Sequence, residues 1–313
     1  MKELEFISII KKTLSKSGHI GDDCACLKDL GIVLTQDTLV EDVHFLTKYT
    51  TPYLLGYKAI TVNLSDIFAS GAIPKYFTVS LSLPKNISPV FVEEFYKACE
   101  DLSKEFNFEI VGGDITGSDK IFVSACAIGL TKGRNISSRK NAKVGDLIVT
   151  TGFHGSSRAG LCLLENGKKQ NKITDAHLKP ELCPDFSQDI STKIADYAMM
   201  DTSDGLMDAL FKIAQASNVV LYADFNKIPY DKEIENIAKL ANADYKDWIL
   251  YGGEDYQLVA CVSKDEIKKL NSKLFTIIGE VKEKKETHFV EIDFQDRIEK
   301  ISDLDKTFNH FGG

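Results

Sequence analysis

The aspartates of this chain recur beside glycines and small polar residues, at the ends of apolar runs. They fall in Gly21-Asp22-Asp23, Thr35-Gln36-Asp37, Asn63-Leu-Ser65-Asp66, Gly112-Gly113-Asp114 and Asp201-Thr-Ser203-Asp204-Gly205. Glycine in such places permits tight turns and close approach of the backbone to a ligand. Any one of these aspartates, taken alone, reads as a helix cap or turn residue. If several converge, they repel one another and lose hydration, and cations or protons must offset both effects. Oxygen donors without histidine or cysteine partners suit Mg²⁺ rather than zinc. Mg²⁺ held by carboxylates most often carries substrate phosphates, so residue type alone points toward phosphate chemistry.

The familiar nucleotide scaffolds are missing. No G-x-x-x-x-G-K-[ST] loop is present, and no G-x-G-x-x-G opens a helix. The kinase catalytic-loop and D-F-G motifs are absent, and so is the G-x-S-x-G of serine hydrolases. Gly155-Ser-Ser-Arg-Ala-Gly160 opens a helix and could present N–H groups to an anion, a weak signal by itself. Cys24-Ala-Cys26 has no second Cys or His pair at zinc spacing. The 7 cysteines are scattered, mostly inside apolar runs, and read as reduced core residues of a cytoplasmic protein.

Strands and helices must position these aspartates. Leu4, Ile7, Ile10 and Leu14 recur at helical spacing, and residues 31–35 form a short strand-like run. A helix is expected from Pro52, with Tyr57, Ile60, Leu64, Ile67 and Phe68 as its apolar stripe. Asp66 lies off that stripe, on a second face with Ala59, Asn63 and Ser70. Further strands are expected at 76–83, 121–130, 147–151, 219–223, 256–262 and 274–281, and helices at 89–106, 156–165, 186–197 and 204–216. The alternation makes the class α/β or α+β.

The chain has 313 residues, long enough for two domains, and its 43% hydrophobic content supplies a sizeable core. The basic stretch 131–143 is the best linker, which places a boundary near residue 136. A net charge of −8 argues against a broad nucleic-acid-binding face. It does not exclude phosphorylated small molecules, because metal ions reverse the sign of a site locally. No apolar run is long enough to span a membrane, and the charged N-terminus lacks the apolar core of a secretory signal.

Several segments form one ordered series over nearly the whole chain. They are Gly21-Asp-Asp23-Cys-Ala, Asp37-Thr-Leu-Val-Glu-Asp-Val-His44-Phe and Gly56-Tyr-Lys-Ala-Ile-Thr-Val-Asn63-Leu-Ser-Asp66. Gly112-Gly-Asp114, Arg139, Asp201-Thr-Ser-Asp204-Gly and Gly252-Gly-Glu254-Asp-Tyr complete it. The series resembles the thiamine-monophosphate kinase family of the aminoimidazole-ribotide synthetase-like superfamily. The resemblance implies a two-domain fold: an N-terminal mixed sheet or half-barrel with helices, and a C-terminal α/β domain. Residues 1–136 would bind metal and nucleotide and dimerise, and residues 137–313 would bind substrate.

The implied activity is ATP-dependent phosphorylation of thiamine monophosphate to thiamine diphosphate by a cytoplasmic homodimer, with Mg²⁺ as cofactor and without nucleic-acid or membrane partners. Direct in-line transfer needs no covalent nucleophile. By the same resemblance, Asp23, Thr35, Gln36, Asp37, Asp66, Asp114, Asp201 and Asp204 fall at the Mg²⁺ positions. Gly113, Asp114, Arg139 and Ser203 fall at ATP contacts, and His44, Glu254 and Phe308 at thiamine-phosphate contacts. Gln36 stands where relatives commonly carry Thr or Ser, and Phe308 where they carry Trp or Tyr. The alternatives are another ATP-dependent synthetase of the superfamily, of selenophosphate or purine-pathway type, and a non-catalytic thiamine-phosphate or nucleotide sensor.

Overall fold

The computed structural model describes residues 3–16 and 18–307, so Phe308 lies outside the described residues. The first part of the chain runs α1 (Glu3–Thr13), β1 (Ala25–Leu27), β2 (Ile32–Val40), α2 (Pro52–Ser70), β3 (Ile73–Leu83), α3 (Pro89–Phe106), β4 (Glu109–Gly117) and β5 (Phe122–Leu130). Then follow β6 (Leu147–Thr150), α4 (Ser156–Glu165), α5 (Lys172–Leu178), α6 (Pro184–Lys193), β7 (Ala198–Asp201), α7 (Leu206–Ser217) and β8 (Val220–Asp224). The rest is α8 (Glu233–Leu240), α9 (Tyr245–Tyr251), β9 (Leu258–Val262), β10 (Thr276–Lys282), β11 (Val290–Asp293) and β12 (Ile298–Ile301). No helix among the described residues is long and apolar enough to cross a membrane.

The strands make two mixed sheets, one ordered β1-β2-β5-β3-β4 and the other β12-β11-β8-β10-β6-β9-β7. In the first, β3 and β4 run parallel with α3 as their crossover, and the other neighbours are antiparallel. Along β5, Val123, Ala125 and Ala127 are buried while Ser124, Cys126 and Ile128 are only half-buried. That alternation marks a sheet with one covered face. The second sheet is covered on both faces. In β7 and β9, Met199, Leu258 and Ala260 join the core around α2, while Met200, Val259 and Cys261 join the core under α7.

Helix α2 lies where the two sheets meet. Its start is set by Thr51, whose hydroxyl accepts from the Leu54 N–H at 3.3 Å, and by Pro52 in the first turn. The sequence pattern suggests one apolar stripe, but between Leu54 and Ser70 only Tyr57 and Asp66 escape full burial. The helix packs against β2, β5, α3, α6 and β7, so the small face of Ala59, Asn63 and Ser70 is buried as well. A helix enclosed by two layers loses the polar side that periodicity would report.

Other differences have local causes. β4 escapes the sequence pattern because Gly112, Gly113 and Gly117 dilute its strand character, and its residues are almost all exposed. The expected helix 186–197 is α6 at Pro184–Lys193, and Ala198–Asp201 turns instead into β7. β2 continues past residue 35 to Val40, which brings Asp37 into the sheet.

Candidate active site

Asp23, Asp66 and Asp201 each bring a carboxylate oxygen within 4.8 Å of the others. Asp23 comes from the turn before β1, Asp66 from the polar face of α2, and Asp201 from the last position of β7. Neighbouring hydroxyls orient them. Thr35 Oγ1 donates to Asp66 Oδ2, Ser65 Oγ to Asp201 Oδ2 at 2.6 Å, and Ser203 Oγ to Asp201 Oδ1 at 3.1 Å. The Arg139 guanidinium donates to Asp23, while its backbone N–H donates to Asp22 Oδ1 at 2.9 Å. Asp22 therefore caps the turn that carries Arg139.

Burial, more than any neighbour, raises the affinity of these carboxyls for protons. Asp66 is pushed well above the usual range by burial and then by the charges of Asp37, Asp201 and Asp23. Asp201 is pushed up to about 7 by burial and Asp23, and Asp37 up to about 6 by burial and Asp204. Asp23 is also raised, although Arg139 opposes the shift. Full ionisation of this cluster calls for a cation among the carboxylates. The donors are hard oxygens, and burial keeps the Cys24 thiol beside them protonated, so no soft ligand competes. A hard divalent ion such as Mg²⁺ fits this donor set.

Strand alternation sorts the remaining metal candidates. Thr35 and Asp37 share one face of β2, toward the cluster, whereas the Gln36 amide lies on the exposed face and donates to Ser124 Oγ at 3.2 Å. Asp204 is half-buried, with Lys212 Nζ 3.3 Å away; Lys212 also holds Asp208 at 2.7 Å. Asp114 lies on β4, exposed and opposite Ser80, outside the carboxylate trio. A Cβ at Gly113 would lie 1.8 Å from the Val79 carbonyl oxygen, so only glycine lets β4 approach β3 this closely.

A cavity of about 680 Å³ is lined by Asp37, Asp66, Asp201 and Asp204 together with His44, Ser203 and Glu254. A second cavity of about 1080 Å³ shares Asp204 with it and is lined by Arg139, Asp208 and Lys212. His44 accepts from the Val40 N–H through Nδ1 at 3.0 Å, which makes the neutral ring the Nε2–H tautomer.

The Gly252–Tyr256 loop reaches the first cavity through a strained backbone. Glu254 and Tyr256 have φ of +66° and +51°, each costing roughly 1 kcal/mol or more for a residue with a side chain. The Glu254 N–H donates to Ser203 O at 2.7 Å, and a Cβ at Gly253 would sit equally close to that oxygen. The strain turns successive side chains apart. Glu254 meets Lys58 Nζ at 2.7 Å and His177 Nδ1 at 3.2 Å, while Asp255 accepts from the Gly155 and Ser157 N–H groups at the start of α4. Burial pushes Asp255 up to about 7 despite those bonds. Burial would raise Glu254 too, but Lys58, His177 and His44 together outweigh it and hold that carboxyl below its ordinary value. Burial and then Lys58 push His177 down to about 4, so its ring is neutral.

Sequence reading missed Lys58, His177, Ser65, Asp208 and Lys212. For Lys58 a signal existed: it is the only basic residue of α2 and sits among apolar and small neighbours. For His177, 77 residues before Glu254 (254 − 177), no local pattern points to the contact.

Comparison with known proteins places this arrangement among relatives. The family model for AIR synthase related protein, N-terminal domain, matches residues 21–131. The thiamine-monophosphate kinase of Buchnera aphidicola subsp. Schizaphis graminum (strain Sg) is 38% identical over 270 residues, 83% of this chain and 81% of the relative. That of Bacillus subtilis (strain 168) is 34% identical over 312 residues, covering 91% of this chain and 92% of the relative. A solved structure described as AaThiL complexed with AMPPCP and TMP superposes with a TM-score of 0.88 at 34% identity, covering 99% of this chain and 97% of its own. The hydrogenase maturation protein HypE in complex with ATP, at 19% identity and a TM-score of 0.73 over 88% of this chain and 85% of its own, shares the fold.

Proposed function

The chain belongs to the thiamine-monophosphate kinase family and uses ATP to phosphorylate thiamine monophosphate to thiamine diphosphate; on that premise we propose how its residues divide the work. One observation carries the assignment: Asp66 and Asp201 of the carboxylate trio line one cavity with His44 and Glu254, where a charged phosphate and an organic cation can be held together.

Asp23, Asp66 and Asp201 hold Mg²⁺, with Asp37, Asp204 and Thr35 beside them; Gln36 would contribute through its backbone carbonyl, and Asp114 from the β4 edge. When bound, the metal neutralises the two phosphate anions that must approach each other and activates the γ-phosphoryl group for displacement. Arg139 steadies Asp23 and turns its remaining donors toward the nucleotide phosphates. In support, the buried Arg139 Nε has no acceptor among the described residues. Ser203 orients Asp201 and, with Gly113 and Asp114, contacts ATP. His44 and Glu254 orient the thiamine part, and Phe308 stacks on it. The acceptor is already a phosphate anion, so no strong general base is required, and neutral His177 serves orientation rather than proton transfer.

Residues 1–136 act as the metal- and nucleotide-binding unit and residues 137–313 as the substrate-binding unit. β4 supports a homodimer: it leaves an open sheet edge and exposes Val111 and Ile115, features that folded proteins generally cover. The seven free cysteines support a cytoplasmic setting.

A coupled assay of ADP release across acceptor phosphates tests the reading. Stoichiometric ADP and thiamine diphosphate, dependent on both Mg²⁺ and thiamine monophosphate, is the expected result. A melting shift with ligands but no ADP would mean a sensor, and turnover with a different acceptor would mean another superfamily synthetase.

A further inference from the structure

The ammonium of Lys58 is buried, at 2% exposure, in a helix otherwise enclosed by apolar and small residues. Its Nζ lies 2.7 Å from Glu254 Oε1 and donates to the His44 carbonyl oxygen at 3.2 Å. These partners come from two loops far apart in sequence, and both line the cavity that holds the carboxylates. We propose that Lys58 is a positioning residue of the acceptor site, tying Glu254 and the His44 loop to the helix that carries Asp66.

The inference rests on the reading that Glu254 and His44 hold the thiamine end of the acceptor. Lys58 and Asp66 are 66 − 58 = 8 residues apart on α2, an axial rise of about 12 Å. One rigid element thus sets the separation between the groups that grip the organic part and those that gather at the reacting phosphate. Without Lys58 that separation would depend on two loops, one of them strained at Glu254 and Tyr256.

The contacts also define what Glu254 offers the cavity. Lys58 engages one carboxylate oxygen and His177 Nδ1 the other at 3.2 Å, while Ser157 Oγ lies 3.0 Å from the same Nδ1. With Lys58 on one oxygen and the His177 ring beside the other, the carboxylate is oriented and its free lone pairs can accept from a ligand. A group that only accepts, held ionised by a buried lysine, favours a cationic heteroaromatic ring or its amino substituent over a neutral or anionic one. Thiamine carries both features. Lys58 selects for them through Glu254, without touching the acceptor itself.

The test compares Lys58→Met, Glu254→Gln and the double variant by steady-state constants for both substrates, with thermal melts alongside. Lys58→Met should raise the KM for thiamine monophosphate at least about tenfold, and that for Mg-ATP by no more than about threefold. In the Glu254→Gln background, the same lysine change should add at most about threefold, because the ionised partner through which Lys58 mainly acts is gone and only its bond to the His44 carbonyl remains. An equal rise in both KM values, or the same acceptor penalty in both backgrounds, overturns the proposal. If Lys58→Met does not fold, Glu254→Gln against the double variant decides, since the double variant buries no unpaired charge: about threefold or less in acceptor KM supports the inference, and about tenfold or more overturns it. If Glu254→Gln alone leaves the acceptor KM unchanged, the assignment of Glu254 to the acceptor fails, and the inference with it.

Discussion

Replacing Asp66 by asparagine should make the metal-free protein more stable while removing its activity. The three carboxylate oxygens lie within 4.8 Å of one another. At an effective dielectric of about 20, each ionised pair at that distance repels by about 3.5 kcal/mol. Asparagine at 66 deletes two of the three pair terms, about 7 kcal/mol before relaxation. Proton uptake already relieves much of this, since burial pushes Asp66 well above its ordinary range and Asp201 up to about 7. The amide oxygen can still accept from Thr35 Oγ1, so the local geometry survives. The net gain at pH 8 in chelator should therefore be roughly 1–3 kcal/mol, a rise of roughly 2–10 °C in Tm.

The assay pairs thermal melts in chelator and in saturating Mg²⁺ with ADP release. Wild type should gain stability from Mg²⁺ by mass action, the variant should lose most of that gain, and its turnover should fall by about a hundredfold or more. The opposed signs separate a ligand from a structural residue. A variant that melts below wild type in chelator, or that turns over normally in saturating Mg²⁺, would refute the argument.

Three further outcomes are expected. Burial pushes His154 down to about 3, so its ring, with Nε2 2.7 Å from Thr150 Oγ1, is neutral near neutral pH. The stability it contributes is present above the unfolded value near 6.5 and is lost as pH falls toward 3; between pH 6.5 and 5 that is about 2 kcal/mol, a slope that His154→Gln should remove in urea melts. Gly113→Ala should separate β3 from β4 and cost roughly 2 kcal/mol or more in denaturant unfolding, because the new Cβ would meet the Val79 oxygen at 1.8 Å; wild-type stability would show that the edge strand yields freely. Phe308→Ala should raise the KM for thiamine monophosphate by roughly tenfold to a hundredfold and leave that for Mg-ATP nearly unchanged; equal effects on both would mean that the ring merely packs.

The chemistry of the site was legible in residue types. Five aspartate-bearing segments without histidine or cysteine partners already point toward hard-cation and phosphate chemistry, because ligand hardness belongs to the side chain and not to its surroundings. Elements with strong local patterns were legible too: α3 and α4 span 89–106 and 156–165 as their apolar spacing suggests. Tertiary structure alone decided which aspartates converge. Asp23 and Asp201 are 201 − 23 = 178 residues apart, and they meet because β7 of the second sheet packs against α2, which lies on the first. It also decided that Thr35 and Asp37 face the cluster while Gln36 faces away, and that Lys58 and Glu254 form a pair. Periodicity records only what a residue's neighbours along the chain are doing. A carboxylate's partners, its burial and its proton affinity are set by surfaces brought together when two sheets close around one helix, and nothing in the local spacing carries that information.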